Sequence, residues 1–341
     1  MTGKHIAFLI IVAALLGTAV VVKNTQKRKD LYDREYAAIG RTLQSDKINL
    51  IKIYTGKMGE EHSIVLKKRP GDWIVASLAD YKANGRVIEA MVEHLALLEG
   101  ELRSSSDEIL SDYYIADQEG LHVRLYQDGD EHHYVIGMKN ADFEGGFIRL
   151  AGSPDAYYVR IDLLGGFGLI GGSLDEEIAR DYFCDKLIFD IDEASVNSIT
   201  LARLDPGKEQ IVIKLTADRD NEQNTTGWTI HRNGSVFPAK KDEVKSYISG
   251  IKTIEALNVL PLTEELQPGF DQPTWELTFE FLSSRSLAFT AKPGSGKEGG
   301  KQFLHRPGER VALAISEYAF NELNDFPGVK FQESSESPAK I

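Results

Sequence analysis

The sequence predicts an α+β fold made twice: a largely antiparallel sheet plus helix, then a second copy, both behind one N-terminal transmembrane helix. Three observations carry the duplication. Gly71-Asp72-Trp73-Ile74-Val75 returns as Thr226-Gly227-Trp228-Thr229-Ile230. Behind the first tryptophan, Ile88, Met91, Val92, Leu95 and Leu98 stand at helical spacing, and Val244, Tyr247, Ile248, Ile251 and Ile254 repeat it behind the second. Asp117-Gln118 leads into Leu121, Val123 and Leu125, as Asp271-Gln272 leads into Trp275, Leu277 and Phe279. The offset stays at about 155 residues in all three, which is the mark of an internal repeat.

The pattern divides the chain into a membrane anchor at 1–23, a stalk at 24–45, a first repeat at 46–172, a linker helix at 173–195, a second repeat at 196–326 and a disordered tail at 327–341. Ile6 to Val22 is uncharged and almost wholly apolar, long enough as a helix to match a bilayer core. It reads as an anchor or as a signal peptide with Gly17-Thr18-Ala19 as its cleavage site. Lys23, closing the run after Val22, favours the anchor. Lys23, Lys27, Arg28, Lys29 and Arg34 follow the segment and only Lys4 precedes it, which by flanking charge alone keeps the body in the cytoplasm. Long folded domains translocate largely regardless of such charge, so the expectation adopted is a single-pass inner-membrane protein with its bulk extracytoplasmic.

Taken in order, Asp30 to Ser45 reads as a stalk helix. Ile48 to Ile53, Ser63 to Leu66 and the Trp73 segment after the Pro70-Gly71 turn read as strands. Asn84 starts the helix that follows and Gly100 ends it. Asp128-Gly129 is a two-residue hairpin turn between Leu121–Tyr126 and the strand holding Tyr134 and Ile136. Phe147 to Leu150 and Tyr157 to Ile161 close the first copy. Ser173 to Phe183 reads as a capped linker helix. In the second copy Val196 to Leu201, Ile211 to Leu215, Trp275 to Phe281, Ser286 to Thr290 and Val311 to Ile315 are strands, with a polar hairpin insertion at Asp218 to Thr226 and a terminal helix at Ser316 to Asn324. Pro293 to Lys301 is a Gly/Lys-rich loop and Phe331 to Ile341 a disordered end.

Composition narrows the chemistry. Lys plus Arg is 39 against 52 Asp plus Glu, a net charge of -13, and no basic block interrupts the body, which excludes nucleic acid as a partner. Cys184 is the only cysteine, so neither a disulfide within the chain nor a thiolate metal cluster can form. Gly166-Phe167-Gly168-Leu169-Ile170-Gly171 has the letters of a dinucleotide fingerprint, yet Asp175, Glu176 and Glu177 at the following helix start would repel a pyrophosphate; a joint between the copies is expected instead. His122, His132 and His133 share a hairpin whose register sends His133 to the side of His122 and Arg124 and His132 to the other, so only two can converge and no metal site is expected. Trp73, Trp228 and Trp275 lie inside apolar strand patterns and are assigned to the core rather than to a stacking platform. No G-x-S-x-G elbow is present, and no catalytic, cofactor-binding or metal-ligating residue emerges.

Trp73-Ile74-Val75 before the Val87 to Leu98 helix, Val135-Ile136-Gly137, Tyr157-Tyr158-Val159, Arg180-Asp181-Tyr182-Phe183 and the second Trp-helix unit together resemble a bacterial family, the domain of unknown function 4340. Gly269-Phe270-Asp271-Gln272-Pro273 follows that family's Gly-Leu-Asp-x-Pro more closely than Tyr114-Ile115-Ala116-Asp117-Gln118 does. The resemblance implies a non-enzymatic, membrane-anchored extracytoplasmic accessory subunit of an ABC-type transport or gliding-motility-like complex. Its implied partners are the lipid bilayer through Ile6 to Val22 and an export permease or auxiliary subunit. The alternative is a free-standing envelope binding module for glycan or peptide.

Overall fold

Asp128 and Gly129 take left-handed φ angles of 53° and 96°, and Asn233 and Gly234 take 46° and 76°. Two consecutive positive φ angles match the right-handed twist of the flanking strands, so each pair closes a tight antiparallel hairpin. From such hairpins the structure, a computed structural model, builds both copies. It describes residues 36–40, 42–139, 145–169, 174–175, 178–204, 210–263, 270–271, 273, 275–293 and 301–327.

The first copy runs β1 (Tyr36–Ala38), β2 (Ile48–Thr55), β3 (Ile64–Arg69), β4 (Asp72–Val75), β5 (Tyr81–Lys82), α1 (Gly85–Ala96), β6 (Glu99–Ser104), β7 (Leu121–Gln127), β8 (Asp130–Lys139), β9 (Gly146–Leu150) and β10 (Ala156–Val159). The second runs β11 (Val196–Arg203), β12 (Ile211–Arg219), β13 (Thr225–Arg232), β14 (Ser235–Ala239), α2 (Lys241–Ile251), β15 (Asn258–Pro261), β16 (Trp275–Phe281), β17 (Ser286–Pro293), β18 (Lys301–His305), β19 (Val311–Ser316) and α3 (Glu317–Asn324). Strand order is β1-β6-β10-β9-β8-β7-β2-β3-β4-β5 in one sheet and β15-β19-β18-β17-β16-β11-β12-β13-β14 in the other. Leaving β1 aside, the chain follows the same path twice. By packing it divides into two compact units, Met1–Val65 with Arg86–Ala179 and Leu66–Gly85 with Arg180–Ile341.

In each helix the apolar face is buried: Ile88, Met91, Val92 and Leu95 on α1, and Val244, Tyr247, Ile248 and Ile251 on α2. Trp73, Trp228 and Trp275 are 4%, 4% and 3% exposed. In the second unit Phe189 sits against Phe279 and Phe289 at ring separations of 6.1 and 4.8 Å. The Trp275 indole N–H donates to Asn324 Oδ1 at 3.1 Å, and the Tyr247 hydroxyl donates to the Leu323 carbonyl at 3.1 Å, so α3 is held to both β16 and α2. Burying the Trp275 and Tyr247 rings with their polar tips partnered avoids the cost of an unmet donor, a cost that the buried Trp73 indole N–H, which has no partner, does bear.

Several expectations are corrected. No helix among the described residues is long and apolar enough to cross a membrane. The helices have 12, 11 and 8 residues, roughly 12–18 Å at about 1.5 Å per residue, against a hydrocarbon core of about 30 Å. Ile6 to Val22 lies outside the described residues. The transmembrane helix in the fold class, the bilayer and permease as partners, the inner-membrane extracytoplasmic placement and the membrane-anchored accessory subunit therefore have no helix among the described residues to rest on, and all are withdrawn.

The stalk helix is replaced where described: Tyr36–Ala38 is a strand paired antiparallel with β6, and the Ile39 N–H donates to the Leu98 carbonyl at 2.8 Å. An unpaired strand edge has claimed that backbone before a helix could. Residues 174–175 and 178–183 of the linker are turn and coil, with Leu174, Ile178 and Phe183 buried and the Phe183 carbonyl accepting from the Asn84 N–H at 2.7 Å. Gly100 does not end α1 but lies within β6, where a Cβ would come within 2.6 Å of Ile39 and 2.9 Å of Tyr157. Residues 294–300 of the loop after Pro293, residues 205–209 between β11 and β12 and the C-terminal tail from 328 fall outside the described residues.

Trp228→Ala is expected to lower the unfolding free energy in urea by about 3–5 kcal/mol, the cost of emptying a packed aromatic site. A loss below about 1 kcal/mol would show that the ring carries no core packing.

Candidate functional site

Two of the hairpin histidines, His122 and His133, lie on one sheet face among several charged groups. In the β7–β8 register Arg124 faces His133 and Leu125 faces His132, so His133 joins His122 and His132 turns away. His122 Nε2 lies 2.7 Å from the Asp117 carbonyl, which can only accept, so that nitrogen carries the proton. His122 Nδ1 then accepts from His133 Nε2 at 2.8 Å. Burial lowers the pKa of both rings, that of His133 to about 4, with the neighbouring His122 adding to the effect. Both are neutral at pH 7.

Around them the charges of this sheet face are matched. Glu60 accepts from Lys52 and from Arg124, each at 2.8 Å, and Arg124 also pairs with Glu131 at 3.2 Å. Arg124 lies over Tyr54, itself stacked on His122 with centroids 4.7 Å apart. Buried Arg149 donates to the carbonyls of Ile115, Leu150 and Ser153 and pairs with Asp117. A cleft of about 740 Å³ reaches Arg124, Glu131, His132 and His133. Its cation and its carboxylate are already paired with each other, while Arg124 Nε and His132 Nε2 are buried without a hydrogen bond. Among the described residues no group of three or more His, Cys, Asp or Glu is placed to hold a metal ion.

The glycine-rich segment offers no phosphate cradle where it is described. Leu164–Phe167 is a short 3-10 helix ended by Gly168, and the Gly165 amide donates to the Asp162 carboxylate at 3.1 Å, so an acid occupies the place a phosphate would need. Ile170 and Gly171 lie outside the described residues. Cys184 is buried, and desolvation pushes its pKa up to about 12, leaving an inert thiol.

A different place carries unmet charge. Within the second unit, the β4–β5 turn, the segment from Asp185 to Asp190, the β16–β17 turn and the β18–β19 turn enclose a cleft of about 730 Å³. Ala79, Asp80 and Ser284 in these turns hold φ of 55°, 61° and 60°, a conformation that costs a non-glycine residue and clusters at functional loops. Leu187, Ile188, Leu287 and Val311 give the cleft an apolar wall, and Tyr81 adds a hydroxyl that burial keeps protonated.

Lys82 pairs with Asp185 at 2.9 Å, Arg306 with Glu309 at 2.8 Å, and Asp80 with Arg69 at 2.8 Å. The remaining charged groups of the lining, Arg285, Arg310 and Asp190, have no ion-pair partner among the described residues. Sequence reasoning passed over these three because they sit in two turns and an irregular segment far apart along the chain. The available signal was the charged turn Arg306-Pro307-Gly308-Glu309-Arg310, where a turn needs only the proline and glycine.

Fold and cleft define a tandem α+β protein with a loop-built, mixed-charge site within the second unit, lined by turns of the second copy and by the β4–β5 turn of the first. The family model described as Domain of unknown function (DUF4340) matches residues 73–273, more than half of the chain, and the chain belongs to that family. No curated protein and no solved structure matches it.

The histidine pair sets a pH dependence. Each imidazole has an ordinary value near 6.5 when unfolded and a lower one when folded, so between about pH 4 and 6.5 the unfolded chain binds more protons. The contribution is complete above about pH 6.5 and lost as pH falls towards 4, the larger part of it from His133. By NMR the His133 ring should titrate with a midpoint of about 4. A midpoint near 6.5 would show that the ring is solvated and the pair not formed.

Proposed function

We propose that this chain is a free-standing, non-enzymatic binding module and that its ligand is a peptide held in the second-unit cleft. The observation that carries the reading is the pairing of an apolar wall with three charges left over from the cleft's own ion pairs. A peptide presents apolar side chains and charged groups side by side, and a concave site of this size with a few polar anchors suits it.

Two further facts support peptide over glycan and binding over catalysis. Sugars are gripped by open aromatic faces, whereas all three tryptophans are buried and Tyr81 is the one ring in the cleft. The hydrogen bond to Asp185 raises the pKa of Lys82 and keeps its ammonium charged, so it is a poor nucleophile. Desolvation likewise raises the pKa of Tyr81, so its hydroxyl is a poor general base.

Calorimetry of the full chain against a panel of short peptides and oligosaccharides tests this. Peptides should bind, with amide-exchange protection confined to residues 79–82, 185–190, 285–287 and 306–311. Leu187→Asp, a change at a half-exposed wall position, should weaken that binding about tenfold or more by placing a charge on the apolar wall. Oligosaccharide binding without peptide binding would overturn the reading.

A further inference from the structure

The charges left over in the cleft have a sign, and the sign selects the ligand. Of its eight charged lining residues, Lys82 and Asp185 neutralise each other, Arg306 and Glu309 do the same, and Asp80 is taken by Arg69 from outside the lining. What remains without an ion pair is two guanidinium groups, Arg285 and Arg310, and one carboxylate, Asp190, which shares the field of Lys82 without pairing with it. Arg285 is additionally laid over the Phe281 ring at 4.9 Å, a cation–π contact. A complementary ligand carries two negative groups and one positive group.

Carboxylates fit better than phosphates. The planar fork of a guanidinium matches a carboxylate in two parallel hydrogen bonds. A doubly charged phosphate would also meet Asp190 with no positive group of its own to offer it, as the amino end of a peptide does. Nucleic acid is disfavoured for that reason and by the net charge of -13.

We infer that the cleft takes a short peptide ending in an acidic residue, its two terminal carboxylates on Arg285 and Arg310, its amino end towards Asp190 and its middle side chain on the Leu187–Leu287 wall. This specificity rests on the peptide reading above. Tyr81 supplies a neutral donor to a backbone carbonyl.

The tripeptide Ala-Leu-Glu is a suitable probe, measured by calorimetry on the full chain. Converting its carboxyl end to the amide, or its Glu to Gln, should each weaken binding about tenfold, since each removes one charge-assisted contact. Arg285→Gln and Arg310→Gln should each weaken the free acid and narrow the gap between acid and amide. Asp190→Asn should narrow the gap between the free and N-acetylated peptides. All three residues are exposed, and unchanged urea midpoints will show that the variants fold.

Equal binding of acid and amide, or arginine variants that bind the acid as wild type does, would overturn the acidic specificity while the peptide reading stands. Inorganic phosphate binding as tightly as the tripeptide would overturn it too, marking a general oxyanion site. Failure of every peptide, with no amide protection at the cleft, would remove the peptide reading and this inference together.

Discussion

The second unit depends on one short segment whose backbone is bonded on both sides. Residues 183 to 188 give the Phe183 carbonyl to the Asn84 N–H and take the Lys82 carbonyl on the Asp185 N–H, at 2.7 and 3.0 Å. On the other side the Ile188 N–H donates to the Ile254 carbonyl and the Lys186 carbonyl accepts from the Ala256 N–H, at 3.2 and 2.8 Å. A segment whose amides and carbonyls are spent in this way cannot be a helix. It also sets Lys82 beside Asp185 and so fixes one corner of the cleft. Asp181, just before it, accepts from the Val259 N–H at 3.0 Å and pairs with Lys186. That carboxylate covers an amide on the outer edge of β15, where an open strand would otherwise invite pairing with another chain.

Charge that is matched within the fold and charge that is not separate the two clefts. Around Arg124 the guanidinium, the ammonium of Lys52 and two carboxylates are bound to one another, and the neutral histidine pair closes its own hydrogen bonds. A ligand there would have to break protein pairs before making its own, and gains little by the exchange. At the second-unit cleft the same accounting leaves Arg285, Arg310 and Asp190 over. A ligand adds interactions there without displacing any.

Much of the framework was legible because it obeys local periodicity. The α1 and α2 faces, the Asp128-Gly129 turn and the split of His132 from His133 all follow from spacing and strand alternation. What escaped is what long-range pairing decides. β5 has two residues, β14 is exposed along nearly its whole length, and β18 begins in a Gly/Lys-rich stretch, so none carries a pattern that stands out before its neighbour is known. Tyr36–Ala38 has helix-forming alanines and becomes a strand because the β6 edge is there to pair with. The cleft was illegible for the same reason, since its charges are on turns that only the sheet order gathers.

Duplication explains how turns of one copy can carry binding charges that their counterparts in the other lack. Both copies trace the same strand path, so β16–β17 and β18–β19 in the second correspond to β7–β8 and β9–β10 in the first. The first-copy connections are Asp128-Gly129 and Ala151-Gly152-Ser153-Pro154-Asp155, built for tight turning and without a basic residue. Their second-copy counterparts carry Arg285, Arg306 and Arg310. The shared framework keeps its buried alternation in both copies because the core demands it, whereas the turns are bound only by the need to reverse the chain. Binding chemistry therefore accumulates where the fold constrains least, on turns held in place by strands that cannot change.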